Sequence, residues 1–232
     1  MIHTALTPYQ AFDWCRIAAI PIGDNGEPLC MLRPAARLHV RPMYAEMGVA
    51  GAVDAVWLRA SVIDKLHQAL AHLPSEYGLE VLDGWRPLAV QAALRESFRA
   101  NIVAHHPDFT EAQIQAALDD FVADPYRAAM PPPHSTGGSV DVALFACSDG
   151  LLLDMGTDFD EADERSFTAA LESEIHHPAR RHRRVLVNAM AAAGFTNLPS
   201  EWWHFDFGNQ NWAYFSSKPS AVYGGTEPKF NT

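Results

Sequence analysis

Hydrophobic and polar positions follow two rhythms along this chain. In 56–73, VWLRASVIDKLHQALAHL, the residues Leu58, Val62, Leu66, Ala69 and Leu73 fall on one stripe at helical spacing. YGLEVLDGWRP comes next and predicts a short strand over 79–82, then a turn ending at Arg86-Pro87. Proline lacks an N–H that the first helical position does not use, so Pro87 suits the start of a helix over 87–104. Thr110 and Gln113 have capping-box spacing, which predicts a third helix over 111–123. Pro178 opens another that runs to about 193, where Gly194 stops it.

The second rhythm has period two. In SVDVALF, 139–145, Ser139, Asp141, Ala143 and Phe145 share one strand face and Val140, Val142 and Leu144 the other. The valine face suits a core, which leaves Asp141 on the opposite face. WWHFDF, 202–207, reads as another strand, with His204 and Asp206 on one side and Trp203, Phe205 and Phe207 on the other. The prolines and glycines of 124–138 predict a loop, and 146–165 reads as a loop or hairpin. Residues 1–45 show little helical period and read as strands and loops wrapped over the core. Helices and strands come in blocks, so the expected class is α+β, with helices packed on a central antiparallel or mixed sheet. One domain over 1–232 is expected, with 1–43 as an N-terminal wrap.

Composition narrows the function. Of 232 residues 48% are hydrophobic and 19% charged, enough for a sizeable core. A net charge of -11 repels phosphate backbones, so no nucleic-acid partner is expected. Arg180, Arg181, Arg183 and Arg184 around His182 read as the solvated face of a helix. Cys15, Cys30 and Cys147 form no CxxC pair and fit reduced thiols. The first residues lack the basic-then-apolar pattern of a secretory signal, and no stretch approaches the roughly 18 apolar residues of a membrane span. A cytoplasmic protein with no membrane partner is expected.

The chemistry lies in two short stretches. His134 and Asp141 flank Gly137-Gly138, a pair of residues able to turn the chain back on itself. Alone, the two side chains suit a hydrogen-bonded pair as well as a metal site. Likewise Glu201 and His204 fit a tryptophan-rich core strand with an ordinary acid beside it, unless a turn after Pro199 brings Glu201 round to His204. Two imidazoles and one carboxylate together suit a catalytic zinc site whose fourth position is open to water. Zinc lowers the pKa of such a water to roughly 7. Glu201 is then the candidate general base. Arg86 can offer fixed donors to a developing oxyanion, or simply pair with Asp83. Other divalent ions accept the same donor set. His105-His106 and His176-His177 read as structural.

DGWRP (83–87), HSTGGSVDVAL (134–144), MGTDFDEADERS (155–166) and EWWHFDF (201–207), in that order and spacing, resemble the VanX-type D-alanyl-D-alanine dipeptidases. These are zinc enzymes of the wider D,D-peptidase/Hedgehog-like fold, and the resemblance spans about 44–207. It implies His134, Asp141 and His204 as ligands of one zinc ion per chain. It implies Glu201 as catalytic base, Arg86 as the transition-state arginine and Asp160 as the acid that holds the substrate's free amino group, with Tyr44 near that group. A fixed anion is what a terminal ammonium requires, so Asp160 makes chemical sense as well. The family member best known for this cleavage has serines before the first zinc histidine, where this chain has Pro132 and Pro133. Ser135, Thr136 or Ser139 are the candidates to bind the substrate carboxylate instead. The implied partner is a small dipeptide, D-alanyl-D-alanine first, and a homodimer is left open. Two alternatives also stay open: a peptidoglycan carboxypeptidase or endopeptidase of the same fold, and a non-catalytic zinc-binding module.

Overall fold

The computed structural model describes residues 4–127, 129–161 and 163–228, with backbone alone at 120 and 121. The expectations for residues 1–3 and 229–232 lie outside the described residues. In chain order the elements are α1 (Trp14–Ala18), β1 (Leu29–Met31), β2 (Leu38–Val40), α2 (Met43–Glu46), β3 (Trp57–Arg59), α3 (Ala60–His72) and β4 (Tyr77–Asp83). Then follow α4 (Leu88–His105), α5 (Glu111–Phe121), β5 (Ser139–Ala146), α6 (Pro178–Ala192), β6 (Thr196–Asn197), β7 (His204–Asp206) and α7 (Gln210–Phe215). Five strands form a mixed sheet in the order β2-β4-β5-β7-β6, in which only β2–β4 is parallel. The class is α+β with a mixed sheet, as the block pattern predicts.

The alternation in β5 decides how the layers stack. Val140, Val142 and Leu144 join one buried cluster with Val62 and Leu66 of α3 and Val185 and Leu186 of α6. Each such side chain contributes roughly 1.5–3 kcal/mol on burial. Asp141 stands between the two valines and is itself buried. The helices over the other segments follow their end signals. Thr110 and Gln113 make the capping box at α5. Gly194, at φ +91°, ends α6 where a side chain would be strained.

Several boundaries differ from the sequence expectation. The helix begins at Ala60 rather than at 56, because Trp57–Arg59 pair antiparallel with Leu29–Met31. Pairing with a distant strand overrides the local helical stripe, and Leu58 is buried all the same. The N-terminal wrap carries two single-turn helices, α1 and α2, the first capped by the Asp13 carboxylate. The last motif forms a strand only over 204–206. Trp202 sits in a bend, its N–H bonded to the Ser166 carbonyl.

The arginine run is the clearest correction. Of its four members Arg181 is exposed, while Arg183 is 1% exposed. Arg183 Nε donates to the Met155 carbonyl (2.7 Å) and its Nη1 to the Phe167 carbonyl (2.8 Å). Arg180 and Arg184 bind Glu172. The face expected to be solvated instead holds both ends of the 155–167 loop. No helix among the described residues is long and apolar enough to cross a membrane.

Candidate metal centre and active site

Strand register aligns the key side chains. Asp141 of β5 lies opposite His204 of β7 on one side and Asp83 of β4 on the other, so three polar residues form a row across neighbouring strands. His134 reaches this row from a single 3-10 turn, Pro133–Thr136, just before β5. Gly137 ends that turn at φ +68°, and a Cβ there would lie 2.2 Å from Leu29 Cδ2. Only glycine fits both the backbone and the space. Arg59 steadies the turn: its Nε donates to the Thr136 carbonyl (2.8 Å) and its backbone N–H to that of Gly137 (2.9 Å).

The three donor atoms form a small triangle. His134 Nε2 is 3.1 Å from His204 Nδ1, His204 Nδ1 is 3.2 Å from Asp141 Oδ1, and His134 Nε2 is 3.5 Å from Asp141 Oδ1. Tetrahedral zinc with bonds of 2.0–2.1 Å spaces its ligand atoms about 3.3 Å apart. The remaining ring nitrogens are engaged: His134 Nδ1 meets the Gly84 carbonyl (2.8 Å) and His204 Nε2 meets Asp206 Oδ1 (3.0 Å). Those partners accept, so each imidazole donates outward and turns a lone pair toward the other. Two facing lone pairs and a buried Asp141 Oδ1 with no hydrogen-bond partner among the described residues are the arrangement of a cation site. The residues therefore fit a divalent metal, and the three could hold one.

Electrostatics agrees. Burial opposes ionisation of Asp141, yet the two imidazoles outweigh it and hold its carboxyl well below the usual range. Burial likewise opposes a charged His204, but Asp206 and Asp141 raise it well above the ordinary value. Asp206 is fixed in turn by Ser139 Oγ (2.6 Å), Asn209 Nδ2 (2.7 Å) and Asn211 Nδ2 (3.2 Å).

The turn after Pro199 brings Glu201 Oε2 to 3.8 Å from His204 Nδ1. Burial pushes the Glu201 carboxyl up to about 8; a cation beside it would draw that value down. Arg86 pairs with Asp83 and also faces the Asp141 carboxylate. Its Nε donates to Asp83 Oδ2 (2.8 Å), and its Nη2 lies 3.6 Å from Asp141 Oδ2. Gln91 Oε1 accepts from Nη1 (2.8 Å), and the Tyr44 ring packs 4.6 Å from the guanidinium. Burial works against the Arg86 charge, but Tyr44 and the surrounding carboxylates outweigh it and keep the group protonated.

These groups line one cavity of about 910 Å³, together with Asp160 and Tyr44. Asp160 is open to the cavity yet crowded by protein, and burial raises its carboxyl to about 6 against the pull of Arg86. Tyr44 hydrogen-bonds it. Asp160 has a φ of +62°, uncommon for a residue with a side chain. Ser135 does not join the others. Its hydroxyl donates back to the Pro132 carbonyl (2.7 Å), and it borders a separate pocket. Thr136 and Ser139 are engaged in the same way, with Pro133 and Asp206. The proline run sets a turn whose hydroxyls bond carbonyls three residues back.

Sequence reading did not assign the supporting Asp206, although its place two residues after His204 on the same strand face was a usable signal. It also missed the cavity wall supplied by α4.

A family model described as D-Ala-D-Ala dipeptidase matches residues 51–220. A D-alanyl-D-alanine dipeptidase from Synechocystis sp. is 32% identical over 234 residues, 91% of each chain. One from Enterococcus faecalis is 32% identical over 134 residues, 56% of this chain and 61% of that one. One from Escherichia coli is 35% identical over 105 residues, 44% of this chain and 51% of its own. A match over most of the chain, with the triangle of donors inside it, shows that this protein belongs to the D-Ala-D-Ala dipeptidase family of peptidases.

Proposed function

We propose that the chain is a zinc-dependent dipeptidase acting on D-alanyl-D-alanine. The observation that carries this reading is the 3.1–3.5 Å triangle of His134, Asp141 and His204, with the Glu201 carboxylate and the buried Arg86 guanidinium beside it. A zinc ion held by these three would polarise the scissile carbonyl and make a bound water more acidic. Glu201 takes a proton from the attacking water and returns it to the leaving amine as the C–N bond breaks. Arg86, already fixed by Asp83 and Gln91, donates to the oxygen that gains charge, at no cost in reorganisation. Asp160 and Tyr44 hold the free ammonium, which sets the distance from the amino end to the bond cut.

The test is direct. Purified chain loaded with one zinc per molecule is expected to split D-alanyl-D-alanine and to leave the N-acetylated dipeptide intact. Equal turnover of the blocked dipeptide would remove Asp160 from its role. No turnover with zinc bound would reject the hydrolytic reading.

A further inference from the structure

The cavity is larger than its proposed substrate needs. About 910 Å³ is near the top of the range that holds drug-sized ligands, and a dipeptide of two alanines is far smaller. The extra space is not evenly distributed. Around Asp160 the rings of Tyr44, Phe159 and Trp203 pack against one another in succession, with centroids 5.8 and 5.6 Å apart, so aromatic rings wall the amino end. On the other side of Arg86 the wall is α4. Gln91 on its first turn holds Arg86, and Leu94, Phe98 and Ile102 continue the same stripe for about 16 Å.

Trp14 from the N-terminal wrap and Val122 after α5 complete this wall. Leu94, Phe98 and Ile102 are half-buried, facing the cavity, while α4 fully buries only Val90 and Gln91. Ser97, Asn101, His105 and Asp119 add polar groups to the same lining, beside this apolar stripe. The hydroxyls of Ser135, Thr136 and Ser139 all point elsewhere. An apolar wall continuous with the reacting centre suits the side chain that follows the scissile bond.

We infer that the preferred substrate is a dipeptide with a small first residue and a large apolar or aromatic second residue, seated along Leu94, Phe98 and Ile102. This rests on the hydrolytic reading above. Alanyl-alanine is then a minimal substrate that leaves the wall wet.

Steady-state kinetics of the zinc-loaded chain with alanyl-alanine and alanyl-phenylalanine, each in D,D and L,L forms, tests it. The expected kcat/KM is about tenfold or more higher for alanyl-phenylalanine of the accepted hand. Leu94→Trp, which fills the wall, should remove that advantage, read as the ratio of kcat/KM for the two dipeptides. Phe98→Ala should cut it in part. Calorimetry of both dipeptides on Glu201→Gln separates the two claims. Turnover of alanyl-alanine with no gain for alanyl-phenylalanine overturns the wall alone. Tighter binding of alanyl-phenylalanine without turnover by the native chain supports the wall and overturns hydrolysis. Neither binding nor turnover overturns both.

Discussion

Along β5 every side chain from Ser139 to Phe145 is buried, whereas α4 buries only Val90 and Gln91 of its 18 residues. Both border the same cavity. The sheet side carries donors whose separations must hold to a few tenths of an ångström, and each imidazole has a second partner that fixes its ring. The helical side offers side chains that need only be apolar and in reach. A close-packed interior resists displacement, while a helix with few buried contacts opens at low cost. On the reading proposed above, the contrast puts bond-making chemistry beside the central strands and substrate fit on α4, a helix with few buried side chains.

The largest expected effect tests the sheet side. Glu201→Gln should lower kcat by roughly 10²–10⁴-fold, with zinc content unchanged at one per chain by elemental analysis. An unchanged kcat would show that proton transfer belongs to another group and that the buried side does not hold the chemistry. Next comes the support beneath it. Asp206→Asn keeps the shape but removes the charge that His204 Nε2 faces at 3.0 Å. Zinc affinity, measured by chelator competition, should weaken about 10–100-fold. Unaltered affinity would mean that the triangle needs no such backing.

A third prediction concerns the amino end, between the two sides. Burial raises Asp160 to about 6, so its carboxylate form is lost as pH falls through that value. Only the charged form attracts an ammonium. KM should therefore rise below about pH 6, by roughly tenfold per unit. In Asp160→Asn the KM starts high and this limb disappears, so the ratio of the two profiles isolates Asp160 from other groups that titrate. Parallel profiles would assign amine binding elsewhere.

How much of this is legible in the sequence follows the same division. The alternation in SVDVALF is enough to set Asp141 apart from the valine face, because period two is a local property. The Thr110–Gln113 pattern marks α5 for the same reason. What escapes depends on partners far along the chain. Trp57–Arg59 read as helix until paired with Leu29–Met31. Arg183 reads as solvated until the carbonyls of Met155 and Phe167 close over it. Leu94, Phe98 and Ile102 have the spacing of any core stripe, and nothing local says that they face a cavity. The four motifs carry the site because their order encodes a convergence that no single window reveals.

The smallest predicted effect asks whether the two sides of the cavity unfold together. Thr110 accepts from the Gln113 N–H while Gln113 Oε1 accepts from the Thr110 N–H (2.9 Å), closing the box at the start of α5. Thr110→Ala should cost about 1 kcal/mol. If α4 and α5 open as a unit apart from the sheet, that cost is confined to them. Amides of α5 would then exchange about fivefold faster, while those of β5 and the unfolding midpoint stay put. If instead the midpoint drops by about 2–4 °C with no selective exchange, the helical side is part of one cooperative core. The wall along α4 would then be as fixed as the metal cluster, and a bulky second residue would have to fit a rigid slot.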